Sequence, residues 1–138
     1  MTTVAGDDPF RGYLLDTHTA LWALLEPERL SAGARGAVLA GRSVLSAISY
    51  WEVMLKSTKG RLDVGDPRIW WQTALEHLNA MPLTLRPQHI DALQGLPDYH
   101  RDPFDRMLIA QAMAEGLTLV SADRDMARYK AAGLKVVR

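Results

Sequence analysis

Four acidic side chains, each at the end of an apolar segment or early in a helical one, could do chemistry together in this sequence. They are Asp16, Glu52, Asp105 and Asp123. If the apolar segments are parallel strands, all four acids project from the C-terminal edge of the sheet, where ligands collect. Clustered carboxylates repel one another unless a cation lies among them. Their oxygens suit Mg²⁺ or Mn²⁺, and such an ion activates water and stabilises the charge that develops on a phosphodiester.

Helix capping is the competing explanation for each acid, because Asp and Ser side chains accept backbone N–H bonds at helix N-termini. The candidates are Asp16 or Thr17 for the first helix, Ser49 with Glu52 as a capping box, Asp102 before Pro103, and Asp123 for the last helix. Capping therefore explains each acid taken singly.

Two of the acids are predicted to face inward, which favours a bound cation shared by the acids over separate helix caps. Glu52 is spaced to share a helix face with apolar residues, which are Ile48, Trp51 and Leu55. Asp105 precedes the apolar residues Leu108 and Ile109 by three and four positions, so it too begins on the buried side of its helix. A carboxylate on a buried face is costly unless a cation neutralises it. The placement therefore predicts a metal site rather than separate caps.

Short apolar segments alternate with helical ones along the chain. The predicted strands are residues 13–15, 43–46, 81–85, 117–121 and 134–137. The predicted helices are residues 16–25, 31–40, 48–59, 69–79, 87–96, 105–115 and 123–132. This alternation indicates an α/β fold with a mostly parallel sheet flanked by helices. We expect one domain over residues 13–138, preceded by a flexible N-terminal arm over residues 1–12.

The bulk composition narrows the classes of protein. The 138 residues include no cysteine, which excludes disulfides and thiolate chemistry. Sixteen basic and sixteen acidic residues balance, whereas a protein that simply coats nucleic acid normally has a basic excess. No apolar stretch is long enough to span a bilayer, and the N-terminus is not typical of a secretory signal. We therefore expect a cytoplasmic protein.

Histidines and tryptophans are assigned more ordinary roles. The four histidines, His18, His77, His89 and His100, show no metal-ligand spacing, so we expect surface or loop positions. Without a suitable His or Cys set, the acids favour Mg²⁺ or Mn²⁺ over zinc. His18, close to Asp16, is the histidine that could touch substrate. Trp22 and Trp51 lie on apolar helical stripes and are expected in the core, while Trp70 and Trp71 are not expected to face inward together.

Basic residues near the acids are the predicted phosphate contacts. They are Lys56, Lys59, Arg61, Arg101, Arg106 and Arg124. No glycine pattern is typical of a phosphate-cradling loop or a dinucleotide fingerprint, so ATP and NAD chemistry are not expected.

The segments that carry the acids together resemble the successive motifs of PIN-domain proteins. The segments are Leu14-Leu15-Asp16-Thr17-His18, Ser46-Ala47-Ile48-Ser49-Tyr50-Trp51-Glu52, His100-Arg101-Asp102-Pro103-Phe104-Asp105-Arg106-Met107-Leu108-Ile109-Ala110-Gln111-Ala112 and Leu119-Val120-Ser121-Ala122-Asp123-Arg124-Asp125. Their order and spacing resemble in particular the VapC type, the toxin half of bacterial toxin–antitoxin pairs. The likeness runs from about Tyr13 to Val137.

This resemblance implies a five-stranded parallel sheet, a Mg²⁺- or Mn²⁺-dependent endoribonuclease that hydrolyses RNA, and a homodimer. It also implies a small cognate antitoxin, similar to VapB, whose C-terminal segment lies across the active site. By position, Asp16, Glu52, Asp105 and Asp123 match the acidic, metal-binding quartet of the family, and Ser121 matches the accompanying hydroxyl. Asp102 competes with Asp105 for the third place, and Asp125 competes with Asp123 for the fourth.

Two other functions remain open from the sequence. A receiver-like signalling domain also groups acids and Mg²⁺ at a sheet edge, but it would transfer phosphate to an aspartate. A catalytically silent PIN fold could serve only as a binding module. The four acids favour the enzyme over this second alternative.

Overall fold

Five short parallel strands form the centre of the protein in the computed structural model, which describes residues 12–138. They are β1 (Tyr13–Leu15), β2 (Ser43–Ser46), β3 (Met81–Leu83), β4 (Thr118–Val120) and β5 (Val136–Val137). The strand order is β3-β2-β1-β4-β5, and every pair of neighbours is parallel. The predicted five-stranded parallel α/β fold is therefore confirmed. Of the predicted arm, residues 1–11 lie outside the described residues.

Both faces of the sheet are apolar, as expected for parallel strands covered by helices. Because side chains alternate along a strand, Leu14 of β1 packs with Leu119 on one face. The next residue, Leu15, packs with Leu45 and Val120 on the other face. Two hydrophobic clusters result, one on each side of the sheet, and they hold the strands in register.

Seven α-helices cover these two faces. They are α1 (Thr17–Leu25), α2 (Ala32–Leu39), α3 (Ala47–Thr58), α4 (Pro67–His77), α5 (Pro87–Asp91), α6 (Pro103–Glu115) and α7 (Arg124–Ala127). Two 3₁₀-helices, Pro27–Arg29 and Arg128–Ala132, complete the described elements. None of the helices between residues 12 and 138 is long and apolar enough to cross a bilayer.

Two predicted helices are shorter than expected. The helix predicted over residues 87–96 ends at Asp91, and the chain continues to Leu96 in tight turns with bonds such as Leu93 N–H to Ile90 C=O at 3.0 Å. The helix predicted over residues 123–132 begins as α7 and tightens into 3₁₀ geometry from Arg128. Both segments are helical locally, but their hydrogen bonds change from the i−4 to the i−3 carbonyl.

Two predictions, which concern three tryptophans, are wrong. Trp51 is 59% exposed, because the buried stripe of α3 runs through Ile48, Ser49, Glu52 and Val53 and turns Trp51 outward. Trp70 and Trp71 are both buried. The second of these stacks on Tyr50 of α3, with ring centroids 4.9 Å apart and planes within 5°. Helix α4 is therefore covered from two directions, and consecutive residues can both lie inside.

The strand order reverses between β1 and β4, which lie side by side although they are distant in sequence. Such a switch point opens a crevice outside the carboxyl ends of the two strands. Asp16 follows β1 and Ser121 follows β4, so these residues lie at the crevice. The same order excludes the receiver-like alternative, since that fold uses the order 2-1-3-4-5.

Candidate metal centre

Asp16 lies where β1 passes into α1, and it is 4% exposed. Its Oδ1 accepts the backbone N–H of Thr19 at 2.8 Å, so the predicted capping role at this residue is also present. Burial raises the pKa of Asp16, and hydrogen bonds from Ser121 and Thr19 oppose that rise without cancelling it. The Ser121 hydroxyl also accepts the backbone N–H of Asp123 at 3.0 Å. One serine thus joins the first and last acids.

Asp105 and Asp123 meet at the imidazole of His100. The His100 Nε2 lies 2.9 Å from Asp123 Oδ2 and 3.1 Å from Asp105 Oδ2. These three residues offer donor atoms that all lie within 4.8 Å of one another. The sequence predicted only a surface or loop role for His100. Its position in the same short motif as Asp105, five residues earlier, is the signal that could have identified it.

Proximity changes the pKa values in this cluster. Burial, followed by the negative charge of Asp102, raises the pKa of Asp105 to about 7; Glu52 and Asp16 add to the rise, and His100 opposes it. Burial, the largest single cause, acts to raise the pKa of Asp123. The hydrogen bond to His100, the charge of that ring and backbone N–H bonds from Asp125 and Met126 together outweigh burial and lower the pKa. For His100, burial favours a lower pKa, while the bond to Asp123 and the surrounding carboxylates raise it overall.

A cavity of about 290 Å³ opens at this point of the sheet edge. It is lined by Asp16, His18, Trp22, Asp105, Ala122 and Asp123. Three members of the predicted quartet therefore line one cavity. His18 is exposed at its rim, where contact with a substrate remains a prediction.

Glu52 lies behind this cavity rather than among its lining residues. It is 2% exposed; its Oε1 accepts the Thr17 hydroxyl at 2.6 Å and its Oε2 contacts Lys56 Nζ at 2.7 Å. Lys56 was predicted as a phosphate contact. In the structure its ammonium group forms an ion pair with Glu52. The capping box predicted from Ser49 to Glu52 is wrong, because Ser46 caps α3 by accepting the N–H of Ile48 at 3.0 Å.

The two competing acids lie in less suitable positions. Asp102 caps α6, with Oδ1 accepting the N–H groups of Phe104 at 2.8 Å and Asp105 at 3.3 Å. Asp125 is exposed and lies 3.8 Å from Arg128. The geometry therefore favours Asp105 and Asp123 for the third and fourth places.

Two further predictions about individual side chains are wrong. His89 is fully buried rather than on the surface, and its Nε2 lies 2.7 Å from Glu115. Arg106, a predicted phosphate contact, donates from Nη1 to the carbonyls of Pro97 at 3.0 Å and His100 at 3.3 Å, and its contact with phosphate stays a prediction. Trp22, predicted in the core, is half-buried and lines the cavity.

The donor set fits a hard divalent cation. Asp16 is deeply buried, and Asp105 carries a raised pKa, so both carboxylates would be stabilised by an added positive charge. The basic groups that contact the four acids within residues 12–138 are His100 and Lys56. Oxygen ligands of this kind suit Mg²⁺ or Mn²⁺ better than zinc. The site can therefore hold an ion beside a solvent-accessible cavity.

The sequence and the fold both place the chain among known proteins. A sequence model of the PIN domain matches residues 13–132. The chain belongs to the PIN domain family, as the motif resemblance implied. Over 120 residues it is 32% identical to Ribonuclease VapC22 of Mycobacterium tuberculosis, an alignment that covers 85% of this chain and 91% of that protein.

Solved structures of similar fold include a toxin–antitoxin complex from Klebsiella pneumoniae, which aligns with a TM-score of 0.56 and 18% identity, covering 84% of this chain and 91% of that chain. DNA-bound VapBC from Salmonella typhimurium aligns with a TM-score of 0.67 and 17% identity, covering 91% of this chain and 96% of that chain. FitAcB from Neisseria gonorrhoeae aligns with a TM-score of 0.59 and 20% identity, over the same shares of the two chains. At these identities the likeness shows the fold.

Proposed function

We propose that this protein is a Mg²⁺- or Mn²⁺-dependent endoribonuclease and the toxin of a toxin–antitoxin pair, acting in the cytoplasm. The observation that carries the proposal is the meeting of Asp16, Asp105 and Asp123 around one cavity at the switch point of the sheet. The relationship to Ribonuclease VapC22 supports RNA as the substrate. Metal-assisted hydrolysis is the chemistry that buried carboxylates beside an open cavity support best.

The four acids divide into two roles in this proposal. Asp16, Asp105 and Asp123 would hold the ion, with Glu52 supporting them from behind through Thr17. When bound, the ion supplies an activated water and stabilises negative charge on the phosphate. Hydrolysis joins the water oxygen to phosphorus and breaks the bond to the 3′ oxygen, which leaves as a hydroxyl after taking up a proton. The products are a 5′-phosphate and a 3′-hydroxyl.

A second cavity, of about 460 Å³, extends the site and supports a strand-shaped substrate. It shares His18 and Trp22 with the first cavity and is also lined by Arg29, Lys56 and Arg61. The guanidinium of Arg29 lies 4.7 Å from the centre of the Trp22 ring. A half-buried aromatic ring beside basic side chains at a cavity suits a single-stranded nucleic acid, whose bases stack and whose phosphates pair with cations. RNA would enter along this second cavity.

Two partners form part of the proposal. The similar folds include VapBC complexes, which supports a small VapB-like antitoxin as a partner of this chain. A homodimer follows the family resemblance. Trp51, which is 59% exposed and packs edge-on against Phe104, is an apolar surface available for such a contact. Size-exclusion chromatography with light scattering, on the protein alone and co-expressed with its neighbouring reading frame, measures both associations.

Cleavage of end-labelled RNA tests the enzymatic part directly. We expect internal cleavage with Mg²⁺, no cleavage with EDTA, and recovery when Mn²⁺ is added in excess of the chelator. Products that carry a 5′-phosphate are ligatable, which identifies the bond that breaks. Equal cleavage with and without EDTA would refute the metal-dependent mechanism. Metal binding without cleavage of any RNA would instead favour the catalytically silent PIN fold.

A further inference from the structure

His100 is held in one orientation between two of the acids. Its Nδ1 accepts the backbone N–H of Asp102 at 3.1 Å, while Nε2 faces Asp123 Oδ2 at 2.9 Å and Asp105 Oδ2 at 3.1 Å. The side chain is 12% exposed. Each ring nitrogen therefore has a defined partner, which is a backbone N–H at Nδ1 and two carboxylate oxygens at Nε2.

These contacts decide which nitrogen carries hydrogen. Because Nδ1 accepts an N–H bond, the hydrogen of a neutral ring must lie on Nε2, and a charged ring also carries hydrogen there. A nitrogen that carries hydrogen has no lone pair for a metal ion. In this geometry His100 is a hydrogen-bond donor to the two carboxylates, although it lies within reach of a shared metal site.

The loop that carries His100 is fixed by Tyr129, which is fully buried. The Tyr129 hydroxyl accepts the backbone N–H groups of Tyr99 and His100, both at 3.0 Å. It donates to the carbonyl of Pro97 at 2.6 Å. Arg106 donates to the His100 carbonyl at 3.3 Å. The backbone on both sides of His100 is thus tied to side chains from other elements.

We propose that His100 is a positioning residue, a fixed Nε2–H donor that turns Asp105 and Asp123 toward one ion, and that Tyr129 acts through it. The role in metal binding rests on the proposed function. Outer partners of this kind typically contribute about ten- to a hundredfold to metal affinity. Since the ring gives no lone pair to the ion, the site keeps an all-oxygen donor set, which matches Mg²⁺ and Mn²⁺.

Nitrogen-15 NMR of the histidine rings tests the donor assignment without relying on activity. We expect a one-bond-coupled Nε2–H signal of His100 in the metal-free protein, and we expect it to persist when the protein is saturated with Mg²⁺. Loss of the Nε2 hydrogen on adding Mg²⁺ would overturn the assignment and make His100 a ligand. Absence of the signal before any metal is added would overturn it independently of the proposed function.

Mn²⁺ titration of His100 variants distinguishes a hydrogen-bond donor from a metal ligand at this position. Glutamine can place an amide N–H near the position of Nε2, so His100→Gln should keep the Mn²⁺ dissociation constant within about threefold, while His100→Ala raises it about tenfold or more. Equal weakening by both changes, or none by His100→Ala, would overturn the positioning role. Failure of the wild-type protein to bind Mn²⁺ would refute the proposed function, and the positioning role with it.

Tyr129→Phe tests whether the Tyr129 hydroxyl fixes the loop that carries His100. The substitution removes the hydroxyl and keeps the ring that packs against Tyr99. We expect faster exchange of the His100 Nε2 hydrogen and weaker Mn²⁺ binding, with the far-ultraviolet circular dichroism unchanged. Tyr99→Phe removes a hydroxyl from the adjacent ring and should change neither quantity. Unchanged hydrogen exchange in Tyr129→Phe would overturn the part assigned to Tyr129.

Discussion

Lys56 places its ammonium group 2.7 Å from Oε2 of Glu52, one helical turn earlier, and neutralises the most deeply buried of the four acids. The requirement for a positive partner, inferred from the inward direction of Glu52, is therefore met within its own helix. The carboxylate behind the proposed metal site is therefore already paired.

Replacing Lys56 with methionine should destabilise the protein, because it leaves a buried carboxylate without its cation. We expect the free energy of unfolding in EDTA to fall by about 1–3 kcal/mol, since Lys56 is partly exposed and the pair is partly screened. Urea denaturation measures this loss. Lys59→Met, at an exposed position at the end of the same helix, is the matched control and should change stability little. Equal effects of the two substitutions would contradict the role of Lys56.

The substitution Asp16→Asn distinguishes the capping role of this side chain from the role of its negative charge. Its side-chain oxygen can still accept the Thr19 N–H, so Asp16→Asn should keep the N-cap of α1, whereas Asp16→Ala should lose about 0.5–2 kcal/mol of stability. RNA cleavage should fall at least about 100-fold in both variants. Thermal unfolding and cleavage rates are measured side by side. Substantial cleavage by a stable Asp16→Asn variant would show that Asp16 serves only as a cap.

The raised pKa of Asp105 predicts how stability depends on pH. Its folded-state pKa of about 7 lies above the ordinary value of 3.8, so its contribution to stability falls as pH rises between those values and stays low above pH 7. The raised pKa values of Asp16 and His100 act in the same direction. The metal-free protein should therefore have a lower Tm at pH 8 than at pH 5.5.

Asp105→Asn should reduce this loss, because the variant has no charge to bury at that position. Mg²⁺ should raise the Tm of the wild-type protein more at pH 8 than at pH 5.5, since protons and metal compete for the same carboxylates. Differential scanning fluorimetry at the two pH values, with EDTA or Mg²⁺, measures both effects. Asp91→Asn, an exposed aspartate on α5, should follow the wild-type curve. A Tm that is lower at pH 5.5 in EDTA would contradict this account of the site.

The proposed entry path for RNA predicts a salt-dependent effect of Arg61. Arg61→Gln should weaken RNA binding at low salt and reduce the slope of log affinity against log salt by about one, as expected for the loss of one phosphate contact. Fluorescence anisotropy in EDTA, where cleavage is not expected, measures the affinity. Lys135→Gln changes an exposed lysine that precedes β5 and lines neither of the two cavities, and it should leave the slope unchanged. An unchanged slope in Arg61→Gln would contradict the proposal that RNA binds along this cavity.

The parts of the fold predicted correctly are those that depend on local sequence. The runs Tyr13–Leu15 and Ser43–Ser46 are strands because consecutive apolar residues can be buried on opposite faces of a parallel sheet. Asp16 and Asp123 were identifiable because each follows such a strand closely. Asp105 was identifiable because two buried residues, Leu108 and Ile109, lie one turn further along its helix.

The features missed depend on residues far apart in sequence. His100 lies in a loop without periodicity, and the hydroxyl that fixes its backbone belongs to Tyr129, 29 residues later. The burial of Trp71 depends on Tyr50 of another helix. Helical spacing identifies a face of a helix, but it does not reveal how many neighbours cover that helix.

The most direct test of the account is the location of a divalent ion in crystals soaked with Mn²⁺, found by anomalous scattering. We expect one strong peak in the cavity of Asp16, Asp105 and Asp123, with His100 Nε2 outside bonding distance of the ion. The peak should disappear in Asp16→Asn crystals. A fully occupied Mn²⁺ elsewhere on the protein, with none among these three carboxylates, would contradict the account.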